Sequence, residues 1–181
     1  LVKTMLDGRT VEIEAVGVEG VTDPNALFGI DKAILESVVQ IPGTVYRIKH
    51  DVLKRHVMMD VDFYDLMRNY ARFSLGQLVQ TAACNRLHSL EERCCRWLLI
   101  AHDGALSDTF PLTHEFLAMM LGVQRSGVSI AAQFLQKAGL IQYTRGRVTI
   151  TNRLGLGDAA CECYGASRKE LDHLFRKPTK A

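Results

Sequence analysis

The segment from residue 112 to residue 151 carries the clearest periodic pattern in this 181-residue chain. Thr113 is placed to cap a helix, and apolar side chains then recur every three or four residues up to Gly122, a residue type that commonly ends helices. After a short break, a second apolar stripe predicts another helix that ends near Gly139. Two β-branched runs flank Arg145-Gly146-Arg147 and predict a hairpin. Helix, short turn, helix and hairpin is the order of a winged helix-turn-helix.

This segment also places polar and basic side chains where they can reach DNA. Residues 109–181 contain 10 Lys and Arg against 5 Asp and Glu, a net charge of +5, whereas residues 1–108 carry −3. We expect the start of the second helix to enter the major groove, with one arginine reading a base and its neighbours sharing the same face. The candidate base contacts are Arg125, Gln124, Ser126 and Ser129, and the candidate phosphate contacts are Thr113, Arg145 and Arg147. A helix pair with a hairpin can also serve only as a scaffold, so this alternative stays open.

Residues 60–101 predict a long helix followed by a second helix that Ser89 caps. The apolar positions of the long helix, spaced by three and four, form a stripe broad enough to face two partners. One face would cover the preceding domain, and the other would meet the same helix of a second chain. The predicted dimer contacts are Tyr64, Met67, Ala71, Ser74, Leu78 and Thr81. The alternative is a long helix packed inside one domain.

Residues 1–57 predict short antiparallel strands. Thr10 to Val16 alternates in polarity, with Val11, Ile13 and Ala15 on the inward face, and the Asp7-Gly8 turn pairs this strand with the preceding residues. Two further runs, 37–41 and 44–48, flank a Pro-Gly turn and predict two more strands. Since this is little for a closed β-domain and the chain begins at Leu1, we expect earlier strands to be missing.

The predicted fold class is therefore α+β, with a partial antiparallel β-roll over residues 1–58, a dimerisation helix and hinge over 59–100, and a winged-helix domain over 101–181. No apolar run is long enough for a transmembrane helix, and no signal peptide is visible, so we expect no membrane partner. Five cysteines without a repeated spacing favour the reducing cytoplasm. Because the adjacent Cys94 and Cys95 diverge on a helix, and Cys161 and Cys163 are two residues apart with no nearby histidine, we expect no metal site and no cofactor.

The same residues resemble a known family, the Crp/Fnr superfamily of bacterial transcription regulators. The likeness is carried by the stretch from Leu112 to Ser129 and by the run from Leu135 to Ile141. Upstream, Asp7-Gly-Arg-Thr10 and the segment from Glu91 to Leu99 occur in that family's order, and the tail Ala160-Cys-Glu-Cys-Tyr164 is similar to one branch of it. The resemblance implies a cyclic-nucleotide-binding-type β-roll, a dimerisation helix, a winged helix, a two-fold-symmetric double-stranded DNA site and RNA polymerase as a partner.

The resemblance does not extend to the site that binds cyclic AMP in some members of that family. Those members use an arginine to close on the cyclic phosphate, a charge-assisted contact. In this sequence no arginine lies between Arg9 and Arg47, and the comparable position is Glu36. The hydroxyls that contact adenine in those members fall at Leu78 and Val79, both apolar. We therefore expect an effector other than cyclic AMP.

Two other classes of function remain as alternatives to a homodimeric regulator. One is an enzyme or a small-molecule-binding protein, and the other is a protein-interaction module, each with the winged helix as scaffold. The sequence has no paired carboxylates at catalytic spacing, no nucleophile with an evident base and no glycine-rich phosphate loop, which argues against an enzyme. The salt dependence of DNA binding would separate these classes.

Overall fold

A computed structural model of the chain describes residues 1–24, 28, 32–105 and 107–175. It combines helices with two small antiparallel sheets, which confirms the predicted α+β class. No helix of the described residues has both the length and the apolar character needed to cross a bilayer. In chain order the elements are β1 Val2–Thr4, β2 Thr10–Glu12, α1 His50–Met59, α2 Val61–Leu87, α3 Leu90–Gly104, β3 Thr109–Pro111, α4 His114–Leu121, α5 Arg125–Lys137, β4 Ile141–Thr144, β5 Arg147–Ile150, α6 Arg153–Asp158 and α7 Cys163–Phe175.

The C-terminal half is built around one apolar core shared by α3 to α6 and a three-stranded sheet of order β3-β5-β4. Leu98 of α3, Leu117 of α4, Val128 of α5 and Leu156 of α6 are all at most 1% exposed. Because α3 packs directly on α5 and α6, it belongs to this half. The domain boundary expected at residue 101 falls inside α3, and residues 176–181 of the expected winged-helix range lie outside the described part.

Both long helices begin at the residues that the sequence marks as caps. The carboxylate of Asp60 accepts a hydrogen bond from the amide of Phe63 and so caps α2. Ser89 and Glu92 form a reciprocal capping box at the start of α3, which confirms the prediction for Ser89. With 27 residues, α2 is about 40 Å long and can link distant parts of the molecule.

The predicted hairpin at the N-terminus is present, but both of its faces are covered: Val11 contacts Gly122, and the face expected to be open carries carboxylates that bond to helices. β1 and β2 pair antiparallel with Val2 opposite Glu12. Glu14 is 5% exposed, and its carboxylate accepts a hydrogen bond of 2.7 Å from the Ser74 hydroxyl of α2. Glu12 accepts one of 3.2 Å from the Trp97 indole of α3. The alternating pattern was misleading because the helices offer polar partners to these carboxylates, which a rule based on polarity ignores.

Two further expectations for the N-terminal part are wrong. Residues 37–41 and 44–48 are not strands, because no described strand lies beside them to complete a ladder; Val45 is 84% and Tyr46 100% exposed. The described pairing of this region with β1 is the single bridge between Val2 and Glu36. In addition, His50–Met59 forms helix α1, which packs on α2 where the sequence had suggested only strands.

The buried Glu12 gives the stability of the protein a testable dependence on pH. Burial raises the pKa of this carboxyl above its ordinary value of 4.5, while hydrogen bonds from Gln40 and Trp97 oppose the shift. The folded state then binds the proton more tightly than the unfolded state, so the free energy of unfolding falls as the pH rises from 4.5 through the raised pKa. Glu12→Gln should flatten this fall, as measured by urea unfolding at several pH values with the single Trp97 as the fluorescent probe.

The matched control is Glu36→Gln, which removes a carboxylate from an exposed position of the same N-terminal region. It should leave the slope of stability against pH unchanged. If both variants flatten the slope equally, the pH dependence does not come from the buried Glu12.

Candidate DNA-binding surface

The turn between α4 and α5 has the geometry that positions a recognition helix. Thr113 caps α4 by accepting a hydrogen bond of 3.1 Å from the amide of Phe116. Gly122 ends α4 with φ 65° and ψ 36°, a left-handed conformation that glycine adopts without strain. The packing of α4 on α5 then projects the start of α5 out of the core.

The exposed face of α5 carries most of the predicted base contacts. Gln124, Arg125 and Ser126 are exposed at its N-terminus, and no hydrogen bond or ion pair joins the Arg125 guanidinium to the described residues. Ile130 is 54% exposed one turn further along. Gln133 is also exposed there; it was missed by sequence reasoning, although its spacing of seven residues from Ser126 places it on the same face.

Ser129 lies on this face, but its hydroxyl already has partners within the chain. It donates to the carbonyl of Arg125 at 3.1 Å and lies 3.0 Å from Nδ1 of His114. Burial, assisted by the charge of Arg125, lowers the pKa of His114, so this ring is neutral at pH 7. The ring also packs edge-on against Tyr143 of the wing. Ser129 therefore fixes α5 against α4 and the wing.

The wing is a two-residue hairpin between β4 and β5. Arg145 and Gly146 have φ of 49° and 76°, the positive values that a tight hairpin of this type requires. Both Arg145 and Arg147 are exposed. The carbonyl of Gly146 accepts a hydrogen bond from the amide of Leu112, which holds the wing tip beside Thr113. The three predicted phosphate contacts thus lie close together at one end of α4.

The predicted dimer contacts share one face of α2, but most of that face is covered within the same chain. Met67 and Ser74 are 5% and 4% exposed, because they pack against the N-terminal part of the same chain. Leu78 is half-buried beside them, as are Ala71 and Thr81. Among the six, the one clearly exposed side chain is Tyr64, at 45%.

A different stripe of α2 is apolar and open to solvent. Leu75 is 62% and Val79 64% exposed. Gly76, Ala82 and Ala83 lie beside them on the helix and are also exposed. An added Cβ at Gly76 would meet no atom within 4 Å, so the backbone of another helix can approach closely there. We refer to Leu75, Gly76, Val79, Ala82 and Ala83 as the open stripe.

A cavity of about 180 Å³ lies between α2 and the N-terminal part of the chain. Its described walls include the carboxylate residues Glu14 and Asp23 together with Phe28, Leu75 and Leu78, and they include no lysine or arginine. Such a lining disfavours a phosphate group, because the described side chains around it include carboxylates and no cation.

Four side chains that sequence reasoning left unassigned come together where α2 ends. Cys84, His88, Cys161 and Cys163 place their ligand atoms within 4.8 Å of one another, and the three cysteines are buried. The expectation that Cys161 and Cys163 lack a nearby histidine is wrong, because the fold brings the α2 residues to them. The available signal was the spacing of four between Cys84 and His88, which places both on one helical face. These side chains could hold a metal ion.

The other two cysteines are inert core residues. Burial raises the pKa of the Cys94 thiol to about 12 and that of Cys95 to about 11, so both are protonated at neutral pH. They lie at most 1% exposed in the apolar core of the C-terminal half. Cys94 and Cys95 therefore serve as small side chains that fill this core.

Comparison with known proteins identifies the domain that carries this surface. A sequence model of the Crp-like helix-turn-helix domain matches residues 92–159. A comparison with curated proteins finds no match. The matched residues include α4, α5 and the wing, as well as most of α3.

Solved structures share the wider fold. A Crp-family transcriptional regulator of Thermus thermophilus is 22% identical, with a TM-score of 0.65 over 88% of this chain and 81% of its own. A second regulator of the same organism, from the Crp/Fnr family, is 19% identical, with a TM-score of 0.62 and the same coverage. A Crp/Fnr-family regulator of Eubacterium rectale is 19% identical, with a TM-score of 0.51 over 61% of this chain and 51% of its own, about half that regulator's length.

At these identities the structural likeness establishes the fold, and the matched domain adds the helix-turn-helix. Residues 92–159 therefore form a Crp-like helix-turn-helix domain, and the chain as a whole shares its fold with these regulators.

Proposed function

We propose that the protein is a homodimeric transcription regulator that binds a two-fold-symmetric site on double-stranded DNA. The observation that carries this proposal is the exposed start of α5, where the Arg125 guanidinium is not engaged by the described residues. Arg145 and Arg147 lie on the adjacent wing, so one face combines a base-reading helix with cations for phosphates. A dimer would present two such helices to successive major grooves, about 34 Å apart.

The open stripe of α2 supports the dimer. An exposed run of apolar and small side chains along a 27-residue helix is costly in water unless a partner covers it. The same helix of a second chain fits, because glycine and alanine allow close helix approach around a two-fold axis. In this proposal residues 1–58 form the sensor, α2 the dimer helix, and α3 to α7 the DNA-binding domain.

The β1–β2 hairpin offers a route from an effector to the DNA-binding surface. Glu14 lines the cavity and bonds to Ser74 of α2. On the other side of the hairpin, Val11 packs against Gly122, where an added Cβ would lie 3.0 Å from the valine side chain. A ligand that shifts the hairpin would therefore act on the turn between α4 and α5. It would change the equilibrium between two arrangements of the recognition helix α5.

Cyclic AMP is not expected to be that ligand. Glu14 and Asp23 line the cavity, and its described side chains include no cation that could serve as the charge-assisted partner of a cyclic phosphate. Isothermal calorimetry of the purified chain with cyclic AMP should show no binding in the micromolar range. Low-micromolar binding would overturn this interpretation of the cavity.

Selection from a random pool of DNA duplexes tests the proposed function. The purified chain should enrich a palindrome whose half-sites are about one helical turn apart. Affinity for the enriched site should fall linearly with salt on logarithmic axes, as counterions are released. Enrichment of no sequence, together with salt-insensitive binding, would favour the alternative in which the winged helix is a scaffold.

A further inference from the structure

The cluster of Cys84, His88, Cys161 and Cys163 plays no part in the DNA-binding surface, yet its geometry is specific. The sulfurs of Cys84 and Cys161 are 3.6 Å apart, and Nδ1 of His88 lies 3.5 Å from the sulfur of Cys163. All four ligand atoms fall within 4.8 Å of one another. Cys84 and His88 at the end of α2, together with Cys161 and Cys163 around the start of α7, thus enclose one small volume.

These separations match those around a single tetrahedral metal ion. Zinc binds thiolate sulfur at about 2.3 Å and imidazole nitrogen at about 2.0–2.1 Å, so tetrahedral ligands lie roughly 3.5–3.8 Å from one another. The two measured separations agree with that range. An iron–sulfur cluster would need thiolates far enough apart to bind different irons, and this volume is too small for that.

The surroundings of the histidine orient it as a ligand. The carboxylate of Glu162 lies 3.0 Å from Nε2 of His88, so Nε2–H donates to it. The proton is then on Nε2, and the lone pair of Nδ1 faces the cysteines. A carboxylate behind a ligating histidine is the usual outer partner of zinc-bound imidazole, which it holds in the correct tautomer.

One of the buried cysteines, Cys163, also accepts a hydrogen bond from a residue outside the cluster. The side-chain amide of Gln80, one turn before Cys84 on α2, donates to the sulfur of Cys163 at 2.9 Å. An amide donor stabilises a negative sulfur more than a neutral one, as is needed for a thiolate ligand. Gln80 and Glu162 therefore support the cysteines and the histidine respectively, which is how built metal sites are arranged.

We propose that Cys84, Cys161, Cys163 and His88 bind one Zn²⁺ ion through three sulfurs and Nδ1. On binding, the three thiols release their protons to solvent, the imidazole binds through the lone pair of Nδ1, and no electron is transferred. Four protein ligands leave no open position, so the site is structural rather than catalytic. The proposal does not depend on DNA binding or on an effector.

The position of the site indicates what the ion would hold together. Cys84 and His88 lie at the end of the long helix, whereas Cys161 lies just before α7 of the C-terminal half and Cys163 is the first residue of α7. The described ion pair between α2 and α7 joins Arg72 to Glu170 at 3.9 Å, and both side chains are exposed, so it contributes little. The zinc ion would therefore add a strong bond to the packing of α7 on α2 and tie the C-terminal half to the dimer helix.

Metal analysis of the full chain tests the site directly. Protein that is refolded in reducing buffer with excess Zn²⁺, and then desalted, should retain about one zinc per chain by plasma mass spectrometry. Replacing Zn²⁺ with Co²⁺ should give the visible absorption of tetrahedral cobalt with thiolate charge transfer. Retention of no zinc by folded wild-type protein, or an octahedral cobalt spectrum, would overturn the proposal.

Matched variants separate loss of the site from loss of the fold. Cys161→Ser and His88→Gln should each lower zinc retention at least tenfold and change the cobalt spectrum. Cys95→Ser, which also removes a buried thiol but lies outside the cluster, should retain zinc fully. Circular dichroism shows which variants are folded, and the assignment is wrong if folded Cys161→Ser and His88→Gln both retain as much zinc as Cys95→Ser.

The main alternative to a zinc site is a redox-active cysteine pair, because the sulfurs of Cys84 and Cys161 are close together. Mass spectrometry of alkylated protein decides between the two. Three thiols that become reactive only after chelation support the metal site. A disulfide between Cys84 and Cys161 in zinc-free protein purified without reductant would overturn the metal site in favour of a redox-active cysteine pair.

Discussion

Val79→Glu is expected to convert the protein from a dimer into a monomer at micromolar concentration. On a two-fold axis the new carboxylate would meet its own copy, and both would lose water. Gly76, Ala82 and Ala83 surround Val79, so no cation lies within one helical turn on this face to neutralise the charge. The cost of an unpaired buried charge, at least about 3 kcal/mol, raises the dimer Kd more than about a hundredfold.

Sedimentation equilibrium measures the change in dimer Kd, and two further variants serve as controls. Asn69→Glu places the same charge on an exposed part of α2 outside the open stripe and should leave the dimer intact. Val79→Ala keeps the stripe apolar and should also remain dimeric. A dimeric Val79→Glu protein would show that the open stripe is not the seam between chains.

Leu78 would be a poor choice for this test, although the sequence alone favours it. Its side chain is half-buried and lines the cavity beside Glu14. A glutamate there would bring two carboxylates together inside one chain and disturb the sensor directly. The neighbouring position tests the dimer without that complication, because Val79 is 64% exposed.

The contrast between these neighbours shows what a periodic pattern can and cannot establish. The apolar spacing on α2 correctly predicts a long helix, because helix formation depends on local propensity and period. It does not say which apolar face meets the same chain and which is left open. That choice depends on the β1–β2 hairpin, whose buried Glu14 selects Ser74 as its partner.

Local patterns do not specify distant partners, and this explains which predictions were right and which were wrong elsewhere in the chain. Thr113, Gly122 and Ser89 were placed correctly because caps are set within a few residues of the chain. The strands predicted over 37–41 and 44–48 failed because a strand needs a partner that local sequence does not provide. The cysteine cluster was missed for a related reason: its two halves, at Cys84 and Cys161, are 77 residues apart.

Arg125→Ala is expected to remove base preference at one position of each half-site. Arg125 is the first residue of α5, the part of a recognition helix that enters the major groove. Its fork of donors matches O6 and N7 of guanine, so the loss should cost about 1–3 kcal/mol per half-site, roughly 5- to 150-fold in affinity. Binding of purified variant to duplexes with each base pair at every position of the enriched site measures this directly.

Arg147→Ala is the control, because this wing arginine is expected to contact phosphate. It should weaken binding to all sequences alike and reduce the slope of affinity against salt by about one unit, while base preference stays unchanged. Arg125→Ala should instead lose discrimination at a single base pair.

The exposed Ser126 and Ile130 are expected to discriminate less between bases, since a hydroxyl can bond to several bases and an isoleucine can contact only a thymine methyl. No neighbouring side chain would then restore the lost preference. If Arg125→Ala lowers affinity for all sequences equally and keeps base preference, as the wing variant should, then Arg125 contacts the backbone and the readout lies elsewhere on α5.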